Sequence, residues 1–110
     1  MSIIILGSHG FVAKSLKNYL IQKNKKFLAI GKSNIDFLKE NSFNKLKKIL
    51  KHKRNFTLVI ISSIAPAKNL DDYLSNMKII RNIIMGINLS NLKKIIYISS
   101  DAVYSDTKKK

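Results

Sequence analysis

Gly7-Ser8-His9-Gly10-Phe11-Val12-Ala13 sets three small residues at regular spacing, directly after the apolar run Ile3-Ile4-Ile5-Leu6. Each small residue has its own use in holding a phosphate. Gly7 permits a tight exit from an extended segment, and Gly10 lets the backbone itself approach an anionic group. Ala13, one turn further on, lets a following helix lie close to a sheet. The N–H groups at the start of that helix, with the macrodipole behind them, supply the positive field. A G-x-x-G-x-x-A pattern by itself also fits a turn that merely connects two elements. Its place after a buried strand and before an amphipathic helix is what points to a dinucleotide pyrophosphate. Gly7, Ser8, His9, Gly10, Phe11 and Val12 are then the residues in reach of the phosphates.

A second chemical signal follows the run Phe27-Leu28-Ala29-Ile30, where the chain reads Gly31-Lys32-Ser33. An acidic residue at this point of a dinucleotide site takes the ribose hydroxyls of NAD. The chain offers no carboxylate there before Asp36. A lysine and a hydroxyl suit a 2′-phosphate instead, so Lys32 and Ser33 favour NADP over NAD, with His9 facing the same region. Lys32 also reads as one more solvated lysine in a lysine-rich chain. Hydroxyl groups end two further apolar runs, as Ser62-Ser63-Ile64 and as Ser99-Ser100-Asp101. The bland reading of Ser99 and Ser100 is strand-end capping. With zero cysteines there is no disulfide framework or thiolate metal site, and no metal is expected.

These residues need elements to hold them. Ile3 to Leu6 is a continuous β-branched run, as a strand buried on both faces reads. From Phe11 the pattern turns helical, with Phe11, Val12, Leu16, Tyr19 and Leu20 as the expected apolar face, until Lys23-Asn24-Lys25-Lys26. Phe27 to Ile30 is a second buried strand, and Ile35-Asp36-Phe37-Leu38 reads as a third, shorter one. Phe43 to Lys51 has helical spacing, and Thr57 to Ile61 is the clearest strand of the chain. Leu70 to Leu89 reads as a long helix with Tyr73, Met77, Ile80, Ile83, Ile84 and Ile87 as its apolar set. Lys94 to Ile98 is the last strand. Strands alternating with helices imply parallel pairing with right-handed crossovers. The expected fold is α/β, a doubly wound, Rossmann-like parallel sheet of about five strands with helices on both faces.

The chain has 110 residues, 45% of them hydrophobic and 8% aromatic, which fits one globular domain. No apolar run approaches the roughly 20 residues needed to cross a bilayer. Met1-Ser2-Ile3 lacks the basic start of a signal peptide, so a cytoplasmic protein without a membrane partner is expected. The formal net charge of +15 is the odd value. It admits a polyanion-binding protein. Against that, only Arg54 and Arg81 of the 21 basic residues are arginines, and no aromatic-interleaved basic pattern occurs. Joint overuse of lysine, isoleucine and asparagine is the simpler account, so nucleic acid is not expected as a partner.

Together, Gly7-Ser8-His9-Gly10-Phe11-Val12-Ala13, Asp72-Tyr73-Leu74-Ser75-Asn76-Met77 and Tyr97-Ile98-Ser99-Ser100-Asp101-Ala102-Val103-Tyr104 resemble a known family. The chain is similar throughout to the amino-terminal part of the extended short-chain dehydrogenases/reductases, the NAD(P)-dependent epimerase/dehydratase group acting on nucleotide sugars. The resemblance implies that Ser100 is catalytic, hydrogen-bonding a sugar hydroxyl or keto oxygen during hydride transfer. It implies that Ser62, Ser63 and Ile64 run along the cofactor ribose, with Ser99 nearby. Asn76 and Asp101 then support the active site, although Asn76 also reads as a solvated helix residue. Ala13 stands where the extended group usually has a third glycine. Ala102 stands where nucleotide-sugar 4,6-dehydratases carry a glutamate, which disfavours that branch.

The family's general acid/base is a tyrosine in a Tyr-x-x-x-Lys arrangement, which the resemblance places well beyond Ser100. The lysine and the cofactor lower the tyrosine's pKa for proton exchange near neutrality. Within the chain Tyr19 and Lys23 have this spacing inside the first expected helix. Tyr104 and Lys108 also have it, but Tyr104 lies too close to the last expected strand to serve. Residues 1–110 are therefore expected to be an incomplete NAD(P)-binding Rossmann domain, with the last strands and the substrate-binding domain absent and one sheet edge exposed. The intact enzyme would take a nucleotide-sugar substrate, and the resemblance allows a homodimer. A non-catalytic NADP-binding regulator or redox sensor is the alternative reading.

Overall fold

Ile3-Ile4-Ile5-Leu6 and Phe56-Thr57-Leu58-Val59-Ile60 lie side by side at the centre of one parallel sheet in the computed structural model, which describes residues 2–7, 10–61 and 68–98. The elements in chain order are β1 (Ser2–Leu6), α1 (Phe11–Gln22), β2 (Phe27–Ile30), α2 (Ser42–Leu50), β3 (Phe56–Ile60), α3 (Leu70–Met85), a 3₁₀ turn (Leu89–Asn91) and β4 (Leu92–Tyr97). The strand order is β2-β1-β3-β4, every pairing parallel. The doubly wound, Rossmann-like α/β fold expected from the sequence is therefore present, with four strands among the described residues.

The apolar run of β1 is continuous because both of its faces are covered. Ile4 and Leu6 join Leu58, Ile60, Leu46, Leu50, Ile79 and Ile83 in the larger core, under α2 and α3. Ile5 faces the other way, with Val59 and Leu20, under α1. Alternate side chains of one strand thus feed two cores, as period-2 geometry requires.

Three expectations need correction. Ile35-Asp36-Phe37-Leu38 is not a strand. Ile35 and Phe37 are buried, which gives the alternation of a strand, but side chains take up the backbone donors locally. Asn34 Oδ1 accepts from Gly31 N–H at 3.0 Å, and Asp36 Oδ1 accepts from Leu38 N–H at 3.0 Å. Such local side-chain bonds compete with ladder pairing and win here. The buried face of α1 is not Phe11, Val12 and Tyr19, which are exposed, but Ala13, Leu16 and Leu20. Helix α3 ends at Met85 rather than Leu89, and Tyr73, Met77 and Ile84 lie outside the core. Its buried residues are Ile79, Asn82 and Ile83.

Asn82 sits in that apolar face because it has a partner the sequence does not reveal. Its Nδ2 donates to Phe37 O at 2.6 Å and to Lys39 O at 3.3 Å, so α3 fastens the segment that leaves β2. At the end of α3, Gly86 lets α2 approach closely. A Cβ there would stand 2.8 Å from Leu46 Cδ2, 2.9 Å from Leu46 Cβ and 3.0 Å from Phe43 O. Among the described residues the left-handed positions outside glycine are all asparagines, Asn24, Asn41 and Asn55, a residue type that tolerates this conformation well. Strand β4 is the least covered, with Ile95, Ile96 and Tyr97 each between 42% and 46% exposed. No helix among the described residues is long and apolar enough to cross a membrane.

Two substitutions test these packing assignments by urea denaturation. Asn82→Ala leaves the Phe37 carbonyl unpaired and is expected to lower stability by about 1–3 kcal/mol. Gly86→Ala is expected to lower it by a similar ~1–3 kcal/mol through overpacking, although alanine is the better helix former. Unchanged midpoints in both would remove the roles assigned to the two residues.

Candidate functional site

The carboxyl ends of β1 and β3 are where the sheet's winding changes direction. From β1 the chain passes through α1 to β2 on one side, then crosses to β3 on the other. In open α/β sheets the crevice beyond this point is the ligand site, because the two crossovers diverge there. The ladder continues past Leu6 on both sides. Gly7 N–H donates to Ile30 O at 2.7 Å, and Ile61 N–H donates to Leu6 O at 2.8 Å. The glycine turn thus starts where β1 is tied to both neighbouring strands, through Leu6 on one side and Gly7 on the other.

Gly7 has φ +103° and Gly10 φ +92°. Gly10 is the N-cap of α1, with ψ 171°, a backbone region essentially restricted to glycine. A Cβ built on Gly10 would meet nothing within 4 Å, so the backbone faces open space at the helix start. Lys14 N–H makes the bond to Gly10 O at 3.1 Å, which leaves the N–H groups of Phe11, Val12 and Ala13 ahead of the helical ladder. No side chain caps this end of α1, and its first turn holds no acidic residue. Helix α3 is the contrast: Asn69 Oδ1 accepts from Asp72 N–H, Asp72 Oδ2 accepts from Lys68 N–H, and Asp71 adds a second carboxylate. An anion is therefore repelled at α3 and welcome at α1. Ala13 is fully buried, so α1 starts directly against the sheet.

Lys32 and Ser33 occupy the turn just past β2, and both are exposed. Asn34 N–H and Ile35 N–H both donate to Gly31 O and close this turn, and the Gly7–Ile30 bond sets it beside the end of β1. Gly7, Gly10, Phe11, Val12, Lys32 and Ser33 thus share one edge of the sheet. Phe11 is 85% exposed, at the mouth of the turn rather than in the core. Asn76 lies half-buried on α3. Ser8, His9, Ser62, Ser63, Ile64, Ser99, Ser100 and Asp101 lie outside the described residues. Tyr19 and Lys23 are at the far end of α1, beside Ile3 at the opposite edge, with Lys23 Nζ 5.7 Å from the Tyr19 ring centroid. They belong to no shared site with Gly10. Among the described residues no group of histidine, aspartate and glutamate is placed to hold a metal ion.

What sequence reasoning missed is the support beneath the Lys32 turn. Asn34 closes the turn on Gly31 N–H, and Asn82 holds the following segment at Phe37 and Lys39. Only the closeness of Asn34 to Gly31 gives any local signal for the first.

A parallel sheet wound from both sides of β1, with a glycine turn and an uncapped helix start at the switch point, defines a Rossmann-like nucleotide-type fold. The residues present fit the phosphate portion of a dinucleotide: free backbone donors, space at Gly10 and no competing carboxylate. The model of the NAD dependent epimerase/dehydratase family matches residues 3–110, and the chain belongs to that family. No curated protein matched the chain in a sequence search.

Gly10→Ala separates the roles of conformation and space at this turn. Because the Cβ has room, any loss must come from the backbone angle. A destabilisation of about 1–3 kcal/mol is expected in thermal or urea melts, together with weaker dinucleotide binding in calorimetry. Wild-type stability in the variant would show that the turn tolerates an ordinary residue.

Proposed function

We propose that this chain is the amino-terminal NAD(P)-binding part of a nucleotide-sugar epimerase or reductase, with NADP preferred over NAD. The observation that carries the reading is Gly10, a glycine-only backbone opening on free space at the uncapped start of α1, within a chain of the NAD-dependent epimerase/dehydratase family. When bound, the nicotinamide supplies hydride exchange with a sugar carbon.

The chain's own residues bind and orient. The backbone from Gly7 to Val12, including Ser8 and His9, holds the pyrophosphate through N–H donors and the dipole of α1. Lys32 and Ser33, exposed on the turn beside Gly7, take the 2′-phosphate as a charge-assisted contact. Ser62, Ser63 and Ile64 follow the ribose, and Ser99 leads into the active site. Ser100 donates or accepts a hydrogen bond at the reacting sugar oxygen, with Asn76 and Asp101 supporting it. A cytoplasmic location belongs to the same reading, in keeping with a chain that has no cysteine.

Calorimetric titration with NADPH and NADH tests the cofactor assignment. NADPH is expected to bind more tightly. Lys32→Glu is expected to weaken NADPH by roughly 10- to 100-fold, the worth of one hydrogen bond to a charged group, while sparing NADH. Equal affinities in the wild type would end the NADP preference, and no binding of either would end the site assignment.

A further inference from the structure

The opposite edge of the sheet carries a groove that shares no residue with the glycine turn. It lies between the carboxyl end of α2, the end of α3 and the start of β3, with a volume of about 470 Å³. Lys47, Lys51 and Arg54 stand along one wall, and Asn88 and Asn91 stand along the other. Buried Leu50 and Phe56 form an apolar floor. The groove is separated from the end of β3 near Gly7 by the length of that five-residue strand, about 16 Å.

The charge at this groove is concentrated beyond the average of the chain. Lys45, Lys47, Lys48, Lys51, Lys53 and Arg54 fall within residues 45–54, and no aspartate or glutamate occurs between Glu40 and Asp71. None of the residues lining the groove is acidic. Basic residues at a helix carboxyl end partly serve its dipole, and two helices end here. Their ends contribute about half a negative charge each. Three lining cations therefore exceed that need and leave a net charge of about +2 facing the groove. Arg54 is also held in place, its Nη1 donating to Lys51 O at 3.2 Å and Lys53 O at 3.1 Å. Those bonds leave Nε and Nη2 for a ligand, in the planar arrangement that suits phosphate.

We infer that this groove is a second ligand site, for a small phosphorylated anion, distinct from the glycine turn. Lys47, Lys51 and Arg54 bind the phosphates, Asn88 and Asn91 give amide hydrogen bonds, and the Leu50–Phe56 floor takes an apolar portion. A volume of this size is ample for a molecule of nucleotide dimensions. The site is independent of the cofactor proposal, since it uses none of the same residues.

Inorganic tripolyphosphate is the probe, titrated by calorimetry into the wild type and three variants. The wild type is expected to bind, less tightly as salt is raised. Lys51→Gln combined with Arg54→Gln is expected to lose at least tenfold. Lys47→Gln with Lys51→Gln should lose as much, and it leaves the Arg54 backbone bonds intact, so misfolding cannot account for both. Lys25→Gln with Lys26→Gln removes the same charge elsewhere and is expected to bind like the wild type. The inference is overturned if the wild type does not bind, if all three variants lose affinity alike, or if none does. Equal loss would mean diffuse attraction by net charge, and no loss would place the anion at the glycine turn.

Discussion

Two backbone hydrogen bonds at the end of β1 govern the rest of the molecule. Gly7 N–H reaches Ile30 O and Ile61 N–H reaches Leu6 O, so the central strand is tied on both sides at the point where it ends. A buried strand cannot leave these groups unpaired without a cost of about 1–3 kcal/mol each. The turn that follows therefore starts from a fixed atom. Gly7 and Gly10 supply the positive φ values that lead from there into α1, and Ala13 allows the helix to settle against the sheet. Position, direction and electrostatic sign of the helix start all descend from the anchoring of one strand.

A second constraint acts on the other face. The segment after β2 does not add to the sheet, although β2 is an edge strand among the described residues. Its polar groups are met by Asn34, Asp36 and Asn82 instead. Ile35 and Phe37 still enter the larger core, so the segment is held by apolar burial inside and by side-chain hydrogen bonds around it. The exposed Lys32 turn owes its position to this packing, which reaches from β2 across to α3.

The central strands and the glycine turn were legible in the sequence because their signals are local. A β-branched run with apolar residues on both faces has one good solution, and Gly7 to Ala13 carries its geometry in its own residues. The face of α1 was not legible. Phe11, Val12, Leu16, Tyr19, Leu20 and Ile21 surround much of the helix, so periodicity alone does not choose a side. Close approach to the sheet chooses it, through small Ala13 rather than large Phe11. The Ile35–Leu38 segment copied the alternation of a strand, and the side-chain bonds of Asn34 and Asp36 decide otherwise. Asn82 was out of reach for a different reason: its acceptor, Phe37, is distant in the chain, and nothing next to Asn82 announces it. In the candidate site, the residues on the β1 and β2 ends could be read and located together, because one parallel register places them at one edge.

That same parallel register shapes how the protein reaches its native state. Ser2 pairs with Phe56 and Leu6 with Ile60, while no hairpin joins any two neighbouring strands. Made before its partners, β1 must wait, apolar on both faces, until α1, β2 and α2 have followed and β3 arrives. Closing such a long loop precedes the contacts that reward it, so assembly of the sheet is a slow, high-contact-order event. Folding speed, and exposure to chaperones along the way, are thus set by the strand order that also creates the switch point.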